Sequence, residues 1–123
     1  MPMAAHNEAG RRAEQHACDY LERQGLRLVE RNYACARGEI DLIMLDRNTL
    51  VFVEVRYRRN HRYGSGAESV DWRKQGKLSA TAAHYLQGHP RAARRPCRFD
   101  VVALTNQDNG RAHIDWISNA FQA

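Results

Sequence analysis

Residues 38–58 read GEIDLIMLD-RN-TLVFVEVRYR, and the way this stretch folds decides the architecture of the chain. Turning it back on itself at Arg47–Asn48 pairs Asp46 with Thr49, Leu45 with Leu50 and Ile43 with Phe52. The same register carries Asp41 opposite Glu54 and Glu39 opposite Arg56. Side chains alternate across a strand, so from Leu45 and Leu50 to Glu39 and Arg56 these residues lie on one face of the hairpin. The opposite face, made by Ile40, Leu42, Met44, Val51, Val53 and Val55, is wholly apolar and belongs in a core. The first face is apolar near the turn and ionic at its far end.

Residues directly opposed on neighbouring strands hold their Cβ atoms roughly 4.5–5.5 Å apart, and like charges so placed destabilise the sheet. Two carboxylates held together either share a proton, with one pKa raised, or bind a cation that cancels their repulsion. A hard divalent ion such as Mg²⁺ suits the Asp41–Glu54 pair, because it takes one or two carboxylates and keeps waters for a phosphate-bearing substrate. The competing reading is an exposed hairpin end where Glu39, Glu54 and Arg56 form a solvated salt-bridge network. A register slip of one residue at the turn would undo the alignment altogether.

At 123 residues the chain is the size of one domain with a real core. Its 19 Lys and Arg against 14 Asp and Glu leave a formal charge of +5, which favours nucleic acid or another polyanion as partner. Cys18, Cys35 and Cys97 are scattered, odd in number and in no CxxC spacing. That pattern fits a reducing cytoplasm better than a disulfide framework, and each thiol reads as a small buried apolar group. The opening MPMAAHNEAGRR has no apolar run, so neither a signal peptide nor a membrane span is expected. His6, His16, His61, His84, His89 and His113 show no HxxxH or HExxH spacing, which argues against zinc.

Before the hairpin, a helix is expected from about Asn7, a plausible N-cap, to Gln24, with Gly25 as its stop. Ala13, Ala17, Tyr20 and Leu21 form its packing stripe. Glu14 lies on the edge of that stripe, an odd place for a charge that had only to meet water, although an outward-reaching Glu paired with Arg11 is the commoner fate. A strand from Leu26 to about Cys35 follows, with Leu26, Leu28 and Glu30 on one face. After the hairpin, RYRRNHRYGSGAE is a basic loop leaving its ionic end, where Arg58, Arg59, Arg62 and Tyr63 could grip a phosphate backbone. A second helix from Ser69 or Asp71 to Leu86 packs through Leu78, Ala82, Tyr85 and Leu86. Its stripe extends back to Lys74, which projects towards the sheet, with Lys77 a little off that line. HPRAARRPCR is a connector that its prolines keep irregular. Arg98–Thr105 is a strand buried on both faces, and His113–Ile117 a shorter last strand, with Ala120 and Phe121 in a tail that docks on the core. Helix, three strands, helix and two strands make an α/β fold, a mixed sheet with helices packed on it. Ligands gather at strand ends in such folds, where the ionic hairpin end, Glu14's helix and the start of the second helix can meet.

Taken together, GxxAExxAxxYLxxxG, RNY, GEIDLI, LVFVEVRYR, SVxxxKQxKL, YL, RFDVV and a terminal IxxAF resemble the YraN-type family of uncharacterised bacterial proteins, from Gly10 to Phe121. That family is similar to archaeal Holliday-junction resolvases and to the restriction-endonuclease-like, PD-(D/E)xK nucleases. The resemblance implies an αβββαβ core and phosphodiester cleavage of DNA with Mg²⁺, for which Mn²⁺ substitutes, and a homodimer. Carried over by position, Asp41 matches the motif's aspartate, Glu54 its second acidic residue and Glu14 the first-helix glutamate that completes the metal shell. Arg56 stands where the motif usually has lysine, and a guanidinium, which keeps its proton in water, cannot act as a base. It can still hold the scissile phosphate, leaving proton removal to metal-activated water or to Lys74. Glu39 is the runner-up ligand. A nucleic-acid-binding protein that keeps the fold without efficient chemistry is the alternative that Arg56 keeps open.

Overall fold

A computed structural model describes residues 8–58, 70–106 and 111–122. The first helix, α1 (Glu8–Arg23), buries Ala13, Ala17, Cys18 and Leu21, with Tyr20 packed against the same cluster. It ends where expected, at Gly25. That residue has φ 102°, Gly25 N–H donates to Glu22 O at 3.0 Å and Leu26 N–H to Leu21 O at 3.0 Å. This crossed pair of bonds is the Schellman stop, which needs a left-handed residue at its centre. The expected cap at Asn7 lies outside the described residues.

Strand β1 (Arg27–Cys35) pairs antiparallel with β2 (Gly38–Asp46), which turns through Arg47 at φ 58° into β3 (Thr49–Arg58). The hairpin register is the expected one: Asp46 pairs with Thr49, Leu45 with Leu50 and Ile43 with Phe52. Helix α2 (Trp72–Gln87) then carries the chain over the sheet to β4 (Cys97–Asn106), parallel to β3, and β5 (Ala112–Phe121) returns antiparallel. The sheet order is β1-β2-β3-β4-β5, with β3–β4 its parallel pair, as a helical crossover requires. This is the mixed α/β sheet flanked by helices that the sequence predicts, consistent with an αβββαβ-like core. Among the described residues no helix is long and apolar enough to cross a membrane.

Both faces of the hairpin are core near the turn. Helix α1 covers Leu42, Met44, Val51, Val53, Val102 and Leu104, while α2 covers Ile43, Leu50, Phe52, Phe99 and Val101. One residue departs from the expected alternation. Ile40 joins the α2 cluster with Tyr85 and Phe52 and not the face of Leu42, so the pleat of β2 breaks between them, at Asp41.

Three further expectations change. Strand β5 does not end at Ile117. It continues to Phe121 through an irregularity at Asn119 (φ 54°), so Phe121 pairs with Phe99 and stacks on its ring at 4.8 Å. The connector holds a short 3₁₀ turn, Ala92–Arg94, because Pro90 and Pro96 bracket it without interrupting it. Of the cysteines only Cys18 is buried; Cys35 is half-buried and Cys97 exposed, since β4 enters the core only beyond Arg98.

At the turn end of the sheet lies a buried charge that anchors it. Asp100 is fully buried and accepts hydrogen bonds from Arg98 Nε (3.0 Å), Arg98 Nη2 (3.2 Å), Trp116 Nε1 (2.9 Å) and Asn119 N (2.9 Å). Arg98 also reaches Asp46 at 3.0 Å. The network ties the hairpin, β4 and the irregularity in β5 together, satisfying an ionic group that burial would otherwise penalise by several kcal/mol.

Candidate active site

The opposite end of the hairpin is built differently. Regular pairing runs as far as Leu42–Val53, one step short of Asp41 and Glu54. There the Asp41 carboxylate takes over a backbone role: Val55 N–H donates to Asp41 Oδ2 at 2.8 Å, in place of a β2 carbonyl. A side-chain oxygen accepts this bond, and beyond the last regular pair lies a cavity of about 210 Å³.

Glu14 from α1, Glu39 and Asp41 from β2, Glu54 from β3 and Lys74 from α2 line that cavity, with Gly10, Ala13, Val55 and Tyr57. Asp41 and Glu54 therefore share one recess, although they are not a regular cross-strand pair. Burial above all, then the charges of Glu54, Glu14 and Glu39, pushes the Asp41 carboxyl well above the usual carboxylate range; the Val55 N–H opposes this only in part. Glu14 is half-buried and lines the cavity from α1.

Glu54 is only 5% exposed, and two cations hold its Oε2: Arg56 Nη1 at 3.3 Å and Lys74 Nζ at 3.5 Å. One salt bridge of the competing reading, Arg56–Glu54, is thus present, but on a buried carboxylate rather than a solvated one. Lys74 arrives there because Asp71 caps α2, accepting from Lys74 N at 2.9 Å and setting the helix's first turn against the sheet. Among the described residues, no three Asp, Glu, His or Cys side chains stand gathered as a finished metal cage.

The expected nucleic-acid contacts are distributed. Arg58 closes β3, and its Nε is buried without a hydrogen-bond partner among the described residues. Lys77 is exposed and lines a second depression on α2 rather than the acidic recess itself. Arg59, Arg62 and Tyr63 fall outside the described residues. Sequence reasoning missed the Val55 amide, which carries no side-chain signal, and Tyr57, which lines the recess. It also missed Trp72, whose position off the apolar stripe of α2 was a readable sign.

This chain has close relatives. It is 54% identical over 121 residues to a protein of Ectopseudomonas mendocina (strain ymp), covering 98% of this chain and 100% of that one. With a protein of Pseudomonas savastanoi pv. phaseolicola it shares 50% over 123 residues, covering both chains completely. With one of Nitrosococcus oceani it shares 52% over 122 residues, 99% of this chain and 98% of the relative. All three are called UPF0102 protein. The model of that family matches residues 13–104, a span that runs from α1 through both carboxylate strands to β4. The chain belongs to the family described as Uncharacterised protein family UPF0102.

Proposed function

We propose that this protein is a metal-dependent nuclease that hydrolyses phosphodiester bonds in DNA, with branched repair or recombination intermediates as its substrate class, acting in the cytoplasm. One observation carries the reading: carboxylates from three separate elements, Glu14, Glu39, Asp41 and Glu54, face a single small recess in a chain of net charge +5. A structural role would disperse such like charges. Here burial first, and then the charges of Glu54, Glu14 and Glu39, raise the pKa of Asp41.

The donor set suits a hard divalent cation, being all oxygen and surplus in negative charge. Asp41 and Glu54 would hold Mg²⁺ or Mn²⁺, with Glu14 completing the set. A cation held there would supply Lewis-acid polarisation of a phosphoryl oxygen and of the attacking water. The chain's own groups do the rest. Val55 N–H fixes the Asp41 carboxylate in place. Arg56 can turn from Glu54 to the scissile phosphate. Lys74, also on Glu54, would orient the attacking water through its ammonium.

The grip of Arg56 and Lys74 on Glu54 supports a second reading, a nucleic-acid-binding protein with this fold and little chemistry. One substrate panel separates the two. Fluorescent branched, flapped and single-stranded DNAs are incubated with Mg²⁺ or Mn²⁺ and either the parent or Asp41→Asn. Metal-dependent cutting that Asp41→Asn abolishes is expected, with a metal-induced rise in Tm that the variant also loses. Salt-sensitive binding to DNA with no cutting under any metal would overturn the nuclease reading in favour of the second.

A further inference from the structure

Trp72 is 76% exposed, far more than any other large apolar side chain among the described residues that are open to solvent. It opens α2, with the Arg73 guanidinium 5.6 Å from its ring centroid. Trp72, Arg73, Gly76, Lys77 and Ala80 come up on one side of the helix at i, i+1, i+4, i+5 and i+8, and with Arg37 from the β1–β2 turn they line a shallow, open groove of about 400 Å³. Among the described residues nothing acidic lines it. Gly76 adds a second oddity. It lies inside a helix, where glycine is unfavourable, yet a Cβ built there meets nothing within 4 Å. No packing within the described chain explains the missing side chain; it leaves the groove floor bare beside an exposed aromatic ring.

The groove adjoins the acidic recess along the seam between β2 and α2. Gly38 packs so close to α2 that a Cβ on it would stand 3.1 Å from Thr81 Oγ1 and 3.8 Å from Lys77 Cβ. On one side of that seam Arg37 lines the groove; on the other, Glu39 lines the recess. Lys74, which touches Glu54, sits on α2 between Arg73 and Lys77.

We propose that this face is a platform for single-stranded DNA, with an unpaired base stacked on Trp72 and the backbone phosphates held by Arg37, Arg73 and Lys77. An aromatic ring in a cationic groove is what sequence-tolerant single-strand binding requires, since every base has a face to stack and every nucleotide a charge to neutralise. A duplex offers its bases already stacked, so Trp72 selects unpaired strands. A second copy of the chain is a poorer occupant, because it would bring the same cations against themselves with no acidic counterpart. The proposal deepens the nuclease reading and rests on it only for the strand's onward path to the acidic recess, where a junction between paired and unpaired DNA would then lie.

The test uses intrinsic fluorescence in the metal-free full-length protein, titrated with an oligothymidylate and, separately, a duplex of equal length at several salt concentrations. Saturable quenching, tighter binding of the single strand and a steep fall of affinity with salt are expected. Trp72→Ala should abolish the quench and weaken single-strand binding, read by anisotropy of a labelled strand, by about fivefold to a hundredfold. Arg73→Ala and Lys77→Ala should each lower the salt slope. Parent affinity in Trp72→Ala, no quench at saturation, or equal affinity for duplex overturns the proposal. So does a dimer in sedimentation that Trp72→Ala dissolves. Quenching without cleavage of any DNA removes the nuclease reading and leaves the platform; cleavage without quenching does the reverse.

Discussion

Gly76→Ala is expected to stabilise the protein and weaken its grip on single-stranded DNA, two effects that a purely structural glycine would not combine. Gly76 is the fifth residue of α2 and is not among the glycines with positive φ, so alanine adopts its conformation without strain. The added Cβ finds open space. What remains is the helix preference for alanine over glycine, which predicts a gain of about 0.5–1 kcal/mol in unfolding free energy. For a domain of this size that corresponds to a Tm higher by about 2–5 °C. The same methyl stands in the floor of the Trp72 groove. If a strand lies close against that floor, crowding it by one methyl costs about 1 kcal/mol, or about a fivefold loss of affinity. Urea denaturation and fluorescence titration on the same preparation measure both quantities. A lower Tm would show that position 76 packs against something and sink the account of the bare floor. Higher Tm with unchanged affinity would show that the bare floor serves no ligand.

Other outcomes follow from the same geometry. The raised pKa of Asp41, caused by burial and then by Glu54, Glu14 and Glu39, means that the folded metal-free chain binds a proton the unfolded chain has released. Stability therefore falls as pH climbs from the ordinary carboxylate pKa of about 3.9 through the raised folded value. Asp41→Asn should be more stable than the parent at neutral pH and lose that advantage near pH 3, in a pH series of urea melts without metal; a difference independent of pH refutes the assignment. Asp100→Ala leaves Arg98, Trp116 Nε1 and Asn119 N–H without their buried acceptor. It should cost about 3–5 kcal/mol, with the near-ultraviolet signal of Trp116 altered; a loss under about 1 kcal/mol would show that water replaces the carboxylate. Arg56→Lys restores a side chain that can lose a proton, so turnover on branched DNA should rise by about tenfold or more. An unchanged or lower rate would place the base elsewhere.

The parts of the molecule that could be read from sequence are those where one local rule decides. The hairpin register followed from alternation about Arg47–Asn48, and the helix stop from Gly25, whose φ of 102° suits glycine. Glu14 and Lys74 stood out because each extends an apolar stripe with a charge, and both line the recess. Where two rules compete, the sequence alone misleads. Ser118 and Asn119 look like a strand end, but the Asn119 amide finds Asp100, so the strand survives a left-handed residue. Strand β1 likewise holds an irregularity between Leu28 and Glu30 that leaves Val29 outside, which simple alternation cannot anticipate. Trp72 escaped notice because periodicity finds the buried side of a helix and is blind to an aromatic placed on the other.

The break in β2 is the least predictable feature and the one on which the site depends. With an unbroken pleat, Ile40 would turn towards α1 and the hairpin would zip to its end, closing the recess. The structure instead gives Ile40 to the α2 core and lets the Asp41 carboxylate satisfy the Val55 amide. On the proposed reading Asp41 has two separable jobs: its oxygen accepts from the Val55 amide where the strands part, and its charge, with those of Glu54 and Glu14, would make the recess a cation site. Asparagine keeps an oxygen for the amide and loses the charge, whereas alanine removes both. If the site is built as argued, Asp41→Asn binds no divalent metal but retains the hydrogen-exchange protection of the Val55 amide, and Asp41→Ala loses both together. Equal protection in the two variants would mean that the strands part for another reason, and that the carboxylate's place in the recess is a consequence of the opening rather than its cause.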